Sequence, residues 1–515
     1  MIFIVKIKGA VDDFGTTQDF YFGTYGFRTK STDTPASTQI RGNLKSAGSY
    51  SRSLDSDMPM GAMKTGYGSV QFDNHDGSLD ALLDYGWKDR EFKLYAKDEY
   101  GGNFPADWTL VLSALCGEMV EDGDVISMSL LDGMYSYLDK QVCSVFGGTG
   151  GLDGFANITG VAKPRVYGCP FNAPMVLFDN INNIYMMSDK PYTVPGQIFE
   201  GRNFITRMSS SWNEVSSYSA LVGLSVPAGK CALVSNDSIA RLAGTPIKPL
   251  TTDGGRCTSS YVSLYERTTL GKVMSDLATD AGVPSGNIDN NIETSSNFPT
   301  GLFFQDTSTK YSSAFDYAAR SAGCYIGFDR LNVLRLGTWA DPSGSPAFQF
   351  NPSNMLEPPT RAIILPANPL TVQVPKNWRT MSETDVATVN PASVIQAMSR
   401  EYMSSVSYRP TGTRHIGQKP IELQCAGYHN NISGNNYPSI VGIPGSAPFN
   451  DNFSVPRKSF TVKSFMDLST ITATDVGTCV TLKYDRYGLD SGSLLRISGI
   501  QYDFNSLQMT FTLWG

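Results

Sequence analysis

Between residues 268 and 339 the spacing of apolar positions changes period, and each change predicts an element. Leu270, Val273, Met274, Leu277 and Ala281 follow the i, i+3, i+4, i+7 spacing of a helix with one buried stripe. Thr268 or Thr269 is placed to cap that helix, and Gly282 with Pro284 to close it. After a polar connection, Ser312 or Ser313 opens a second helix through Ala314, Tyr317, Ala318 and Ala319 to Gly323. The period then drops to two: Cys324 to Phe328 and Val333 to Gly337 pair as a tight hairpin across Asp329 to Asn332.

Both ends of the chain alternate as strands do. Phe3, Val5 and Ile7 alternate as a strand would, Phe20 to Phe27 and Gly68 to Phe72 read as strands, and Phe92, Leu94 and Ala96 alternate with Glu91, Lys93 and Tyr95. Leu110 to Leu115 predicts a buried strand, with Ile126, Met128 and Leu130 following the turn at Asp122 to Asp124. At the other end Val480, Leu482 and Tyr484, then Leu495, Ile497, Ile500, Tyr502 and Phe504, then Leu507, Met509, Phe511 and Leu513 predict a closing meander that turns at Asn505-Ser506. Short apolar strands at 174–178, 184–187 and 232–234 stand among Asn, Pro and Gly turns. Leu370 to Val374 alternates into Lys376-Asn377-Trp378, and a polar, helix-tending stretch runs from Ala392 to Met403.

These patterns divide the chain into 1–145, an N-terminal β-barrel-like unit; 146–258, a small β unit; 259–345, the helix-helix-hairpin; and 346–515, a C-terminal β-barrel-like unit with a loop insertion at about 420–455. The fold class is therefore mainly β with a smaller α+β module. Length agrees, since 515 residues exceed one ordinary core and imply roughly three or four domains. So does composition: 17% charged residues with Gly 49, Pro 28, Tyr 25 and Phe 27 favours short strands and many turns.

Charge and chemistry mostly exclude. The net charge of −7, from 41 basic and 48 acidic residues, comes with no basic run to track phosphates, so sequence-specific nucleic-acid binding is not expected. Eight scattered cysteines make neither a zinc ribbon nor a disulfide framework and read as reduced, buried thiols. With only His75, His415 and His429, and neither HExxH nor a ligand-spaced cluster, no metal and no cofactor is expected. The turn Phe72 to Asp80 superficially resembles a calcium loop, but with Gly77 sixth, the first and twelfth ligand positions fall on Phe72 and Leu83. Asp76-Gly77 is accordingly a structural turn and helix start. The glycine-rich joint 146–154 and the stretch from Gly223 to Lys230 lack the spacing and ending of a phosphate loop. His415, Cys425 and His429 as a thiol protease set lack the usual surrounding sequence, and no recognisable cell-wall hydrolase module is evident, so no enzyme is expected and no catalytic residue is assigned. Lys6 and Lys8 interrupt the apolar start, and no apolar run approaches the roughly 20 residues of a membrane span. The expectation is a chain that folds in the cytoplasm.

The helix, glycine, second helix and hairpin at 268–339 resemble a module of bacteriophage tail hubs and of related contractile-injector hubs. Asn74-His75-Asp76-Gly77 with the Leu79-Asp80 start, and Lys163-Pro164-Arg165-Val166-Tyr167-Gly168, are similar to phrases of hubs from long flexible-tailed phages. Lys376-Asn377-Trp378 is similar to a third such phrase, with Lys376 where an arginine is usual, and the closing meander resembles the end of the hub's second barrel. The resemblance implies an order of first barrel, small β domain, helical module and second barrel, with Asp76, Gly77, Asn377 and Trp378 as architectural positions. It implies a homotrimeric ring of a virion tail tip or baseplate, with approximate sixfold symmetry. A distal tail or tube protein would sit above and fibre or spike proteins below, serving host cell attachment and DNA ejection. DNA and the tape-measure protein would pass the lumen without specific binding. Two alternatives stand beside it: a hexameric distal tail protein, and a carbohydrate-binding receptor-recognition protein, suggested by 11% aromatics and Asn/Ser-rich loops bearing Tyr428 and Tyr437.

Overall fold

Alternation at the N-terminus builds a sheet with two used faces. In the computed structural model, which describes residues 1–55, 58–99, 101–191, 194–208, 215–234, 236–255, 269–298, 300–366, 369–408, 420–425 and 455–515, Ile2–Ala10 pairs antiparallel with Glu91–Lys97. Phe3, Val5 and Ile7 face Ala96, Leu94 and Phe92 in register, and all six are buried on one side. Ile2 and Ile4 point the other way, under Phe104 and Trp108. The sheet has seven strands, in the order Thr17–Gly23, Ile2–Ala10, Glu91–Lys97, Thr109–Asp122, Val125–Leu131, Val70–Asp73, Leu44–Ser46. The expected strand from Phe20 to Phe27 is two strands, Thr17–Gly23 and Phe27–Arg28, because the chain bends at 24–26. The strand expected at 110–115 runs on to Asp122, past a register shift between Cys116 and Met119, and turns at Gly123 with φ +60°.

The C-terminal meander explains a change of phase visible in the sequence. Inward side chains sit at 495 and 497 and then at 500 and 502 because the pairing of Ser493–Asp503 with Gln508–Trp514 slips between Ile497 and Gly499. Around that pair lie Gln349–Phe350, Cys479–Leu482, Arg457–Phe465 and Thr360–Ile364, the last at an edge.

Nothing in the alternation announces what residues 49–67 do. Ser49–Ser53 pairs antiparallel with residues 499–503 and hairpins with Lys64–Tyr67, while Gly61–Ala62 pairs parallel to Cys324–Phe328. A segment of the N-terminal unit thereby belongs to the sheet of the C-terminal unit and touches the helix-hairpin module between. One hydrophobic cluster runs through both terminal sheets, from Phe3, Val5 and Phe92 to Phe460, Val480 and Leu513, and the rings of Phe3 and Phe504 lie 5.7 Å apart.

The first central helix is Leu270–Ala281, with the predicted stripe buried and Gly282 left-handed at φ +85°. Thr268 lies outside the described residues, and Thr269 precedes the helix without a side-chain capping bond. The second is Tyr311–Ser321, so Ser312 and Ser313 lie inside its first turn rather than capping it. Their service is not needed, because the Tyr311 and Ser312 N–H groups donate to the carbonyls of Lys140 and Leu138. Cys324–Phe328 and Leu334–Thr338 form the hairpin. The connection read as merely polar contains a buried strand, Gly301–Phe304, paired with Arg165–Gly168.

The small β unit holds two sheets. One orders Val176–Asp179, Ile184–Met186, Ile239–Leu242, Lys230–Val234 and Thr206–Arg207; the other Ala173–Pro174, Leu250–Gly255, Val194–Glu200 and Asn203–Phe204. Later, Leu370–Lys376 lies between Tyr402–Tyr408 and Ile421–Gln424. The helix expected up to Met403 stops at Met398, where the chain turns to enter the Tyr402–Tyr408 strand. Of the loop insertion at about 420–455, residues 426–454 lie outside the described residues.

Candidate functional site

Where three modules meet, inward positions carry charge. In Ser49–Ser53 the buried register positions are Tyr50 and Arg52, which the pairing with residues 499–503 turns into the core. Arg52 Nη1 donates to both carboxylate oxygens of Asp475, at 2.8 and 3.0 Å, and Nη2 reaches the Gly327 carbonyl at 3.4 Å. One side chain therefore touches the C-terminal unit and the central hairpin from a strand of the N-terminal unit. Burial works against the Arg52 charge, but Asp475, together with Tyr50 and Asp329, outweighs it and holds the guanidinium above its ordinary pKa. Tyr502 beside it is pushed up to about 12 by burial.

A cleft of 470 Å³ opens at this joint, lined among others by Arg52, Asp475, Asp329, Arg330 and Arg335. Its charges answer one another. Arg335 Nε donates to Asp329 at 2.6 Å and its Nη1 to Asp289 at 3.0 Å, while Arg330 Nη1 donates to the Leu110 and Val111 carbonyls. Arg52 and Arg330 each spend donors on a neighbouring module, and Arg335 is paired with Asp329 and Asp289 of its own, so the arrangement ties parts together.

Asn377 forms a second tie. It is buried, its Nδ2 donates at 3.0 Å to the carbonyls of Met398 and Arg400, and its Oδ1 accepts from Asn172 Nδ2 at 2.8 Å. One amide thus holds the end of Leu370–Lys376 to the Ala392–Met398 helix and to the small β unit. Trp378 packs edge-on against Phe303, Phe304 and Tyr317, with the Lys376 ammonium 4.7 Å above its ring. Replacing Asn377 by alanine strands these groups and is expected to cost about 3 kcal/mol by urea unfolding, with Asn377→Asp giving no rescue because a carboxylate cannot donate to two carbonyls.

At Asp76-Gly77 the sequence points to the right turn but not to its main residue. Gly77 is left-handed at φ +67°, and the exposed Asp76 carboxylate accepts only locally, from the Ser78 N–H at 3.0 Å. Asn74 does the holding. Its Oδ1 accepts from the buried Leu79 N–H at 2.8 Å, and its Nδ2 reaches Asp80 and Glu121. Leu79 in turn precedes a 3-10 turn, Asp80–Asp84, that has no side-chain cap of its own. Asn74→Ala is expected to cost about 1–2 kcal/mol and Asp76→Ala less than about 0.5 kcal/mol, read from the same unfolding curves.

The glycine-rich joint wraps a carboxylate rather than a phosphate. Asp153 accepts from the Gly147 N–H at 3.0 Å, from the Lys163 ammonium at 3.0 Å and from the Thr149 hydroxyl at 2.9 Å. The Gly147 bond first, then Lys163 and Thr149, hold its pKa down to about 2. Because the folded value is depressed, whatever stability the loop draws from this charge is present above the unfolded value of about 3.9 and is lost as pH falls toward 2. NMR titration of the Asp153 carboxyl should show a midpoint near 2 that Lys163→Met raises toward the ordinary aspartate value of about 3.9.

A third tie is Arg165, at the start of Arg165–Gly168. It is 5% exposed and meets Asp189, Asp280, Tyr167 and Tyr311, which come from the small β unit and both central helices. The sequence reading quoted Arg165 within its phrase and gave it no role; it passed over Arg52 and Asp475. No strand was predicted at 49–53 or 165–168, so the available signal was only a lone arginine close to an aromatic residue, Tyr50 or Tyr167.

For the enzymatic alternatives, burial pushes the Cys425 thiol up to about 12, while His415 and His429 lie outside the described residues. Cys116 and Cys143 are pushed up to about 12 in the same way. Among the described residues no group of three or more His, Cys, Asp or Glu is placed to hold a metal ion, and no helix is long and apolar enough to cross a membrane. Tyr428 and Tyr437, named for the carbohydrate reading, lie outside the described residues.

No protein-family model matches the chain, and no curated protein matches it. Among solved structures it is similar to the 43 kDa tail protein of prophage MuSo2 from Shewanella oneidensis, at 9% identity over 99% of this chain and 98% of that one, with a TM-score of 0.39. It is similar to a tail protein from Neisseria meningitidis at 9% identity over 100% and 96%, with a TM-score of 0.38. A prophage tail protein, gp18, from Listeria monocytogenes matches at 8% identity over 99% and 94%, with a TM-score of 0.39.

Proposed function

We propose that this chain is a structural component of a bacteriophage tail tip, a trimeric hub that continues the tail tube, surrounds the DNA channel and anchors fibre or spike proteins, with no catalytic step of its own. The observation that carries the reading is the joining of the two terminal sheets by residues 49–67 into one shared core. Two sheet units made rigid against each other present two similar wall segments per copy, and three copies then supply six, matching a sixfold tube above to a threefold tip below. Support also comes from the module order and the three phrases that resemble hubs, two of which lie at a junction between units: Lys163 to Gly168, and Lys376 to Trp378. Virion tail tip is the corresponding location, with assembly in the host cytoplasm.

The test is stoichiometry and place. Mass photometry of the assembled protein is expected at three times the 56.0 kDa chain mass, and density of purified particles should place a threefold ring between tube and fibres. Six copies per particle without threefold symmetry would give the distal tail reading, and glycan-array binding lost on substituting Tyr428 or Tyr437 the receptor-binding one. Zymography on host peptidoglycan is expected to show no clearing.

A further inference from the structure

Followed through the hairpin of residues 49–67, strand order across the two terminal sheets leaves an edge strand at each end, while a separate, two-residue end of the C-terminal sheet lies at Gln349–Phe350. From Thr17–Gly23 the order runs through seven strands to Leu44–Ser46; the hairpin of Ser49–Ser53 and Lys64–Tyr67 carries the chain onto Ser493–Asp503, and the C-terminal order then ends at Thr360–Ile364. Within one chain the inner ends are tied together by that hairpin. The outer ends are Thr17–Gly23 and Thr360–Ile364, and neither is finished.

Thr360–Ile364 pairs only with Arg457–Phe465, and among the described residues nothing hydrogen-bonds to its outer side. Four of its five residues are exposed, Ile363 is 57% and the following Leu365 58% exposed, and it carries no proline, bulge or carboxylate to blunt it. Such an edge invites pairing. Its charge is positive: Arg361 on the strand and Lys458, the register partner of Ile363, have no carboxylate partner among the described residues. On the outer side of Thr17–Gly23 the chain at Arg41 covers Phe22 and Gly23, leaving the first half of the strand open. That half follows an exposed turn with Asp12, Asp13 and a Phe14 that is 95% exposed. The open half is acidic where the other edge is basic.

Resting on the hub reading above, we infer that the Thr360–Ile364 edge of one copy adds to the Thr17–Gly23 edge of a second copy. The C-terminal sheet of each subunit then continues into the N-terminal sheet of its neighbour. The contact is heterologous, since the two edges differ, and it closes only as a ring or grows as a filament. Backbone hydrogen bonds supply the geometry, Arg361 and Lys458 meet Asp12 and Asp13 across the seam, and Ile363, Leu365 and Phe14 lose their water. The seam between copies thereby imitates the tie that the 49–67 hairpin makes inside one copy.

Cysteine cross-linking in the assembled full-length protein tests this. Gln18→Cys with Ile363→Cys in one chain is expected to give covalent dimers and trimers under mild oxidation or with a short bismaleimide, while either substitution alone gives none. Thr17→Cys and Asp19→Cys with Ile363→Cys cover the neighbouring registers. Separately, Arg361→Glu with Lys458→Glu should raise the subunit concentration for half-assembly about tenfold at low salt, and Asp13→Lys in the same chain should restore it. Apart from the half-buried Asp19, which pairs with Lys6, these positions lie at the surface, so circular dichroism of the other variants is expected to be unchanged. A threefold ring that forms normally but cross-links in no register and ignores the charge reversal overturns the edge pairing and leaves the hub reading standing. So does a cross-link from Ile363→Cys to its own counterpart or to a different tail protein. A wild-type chain that stays monomeric both in solution and in particles overturns the hub reading and this inference with it.

Discussion

Replacing Arg165 with methionine is expected to destabilise the protein by about 3–5 kcal/mol, because it removes a cation in direct hydrogen-bonding contact with two carboxylates that remain buried. Asp189 and Asp280 have side chains 8% and 6% exposed, so water cannot take over. Arg165 reaches Asp189 through Nε and, at 2.6 Å, through Nη2, and Asp280 through Nη1 at 3.3 Å; Lys190 approaches Asp280 only to 3.7 Å. In the native protein burial opposes the guanidinium charge, and Asp189 outweighs it and holds the pKa above the ordinary arginine value. The variant reverses the pH dependence. Buried carboxylates without a cation titrate above their unfolded value of about 3.9, so the deficit is largest at neutral pH and shrinks as pH falls toward that value. Urea midpoints at several pH values read this directly, and removing the acid as well, in Arg165→Met with Asp189→Leu, should recover a large part of the loss. A pH-independent deficit would mean that packing alone was removed.

The second large effect is expected at Gly168. Its φ of +62° is left-handed, and a Cβ there would stand 2.1 Å from the Thr300 carbonyl oxygen. The obstacle is backbone, so no rotamer change relieves it. Thr300 is held because its neighbour Gly301 is the register partner of Gly168 and itself lies against Cys169 and Pro170, at 2.2 and 2.4 Å from a hypothetical Cβ. Gly168→Ala is expected to cost more than about 3 kcal/mol and to lower soluble yield sharply. Gly244→Ala, where nothing stands within 4 Å, is the control and should be neutral. Limited proteolysis of the two variants side by side separates a local backbone clash from a general intolerance of alanine.

Sequence reading succeeded where side-chain period and backbone state coincide. The Leu270–Ala281 helix carries its stripe at i, i+3, i+4, i+7 and ends at a left-handed glycine, and the closing strands alternate through buried Met509, Phe511 and Leu513. It fell short where burial is achieved by polar groups or supplied from far away. Ser49–Ser53 faces the core with Tyr50 and Arg52 among serines, so a hydrophobic pattern cannot report it as a strand. Gly301–Phe304 is a four-residue run buried throughout, which is too short to separate from a loop without its partner Arg165–Gly168. Two of the phrases singled out by resemblance fell on junctions between units, but the side chains that tie those junctions were named only in part: Asn377 was, while Arg165 was quoted without a role and Arg52 was not mentioned.

The hairpin at 49–67 also has a consequence for synthesis. Arg52 leaves the ribosome more than four hundred residues before its partner Asp475, and the strand that Ser49–Ser53 joins is among the last made. The early unit can form its own seven strands, but this segment has no place to dock until translation is nearly complete. A chain broken off before the final strands is left with an unsatisfied arm and without the wall that arm completes. Such a fragment holds Ser49–Ser53 without the strand it pairs with, and one that ends before Asp475 also leaves Arg52 without its partner.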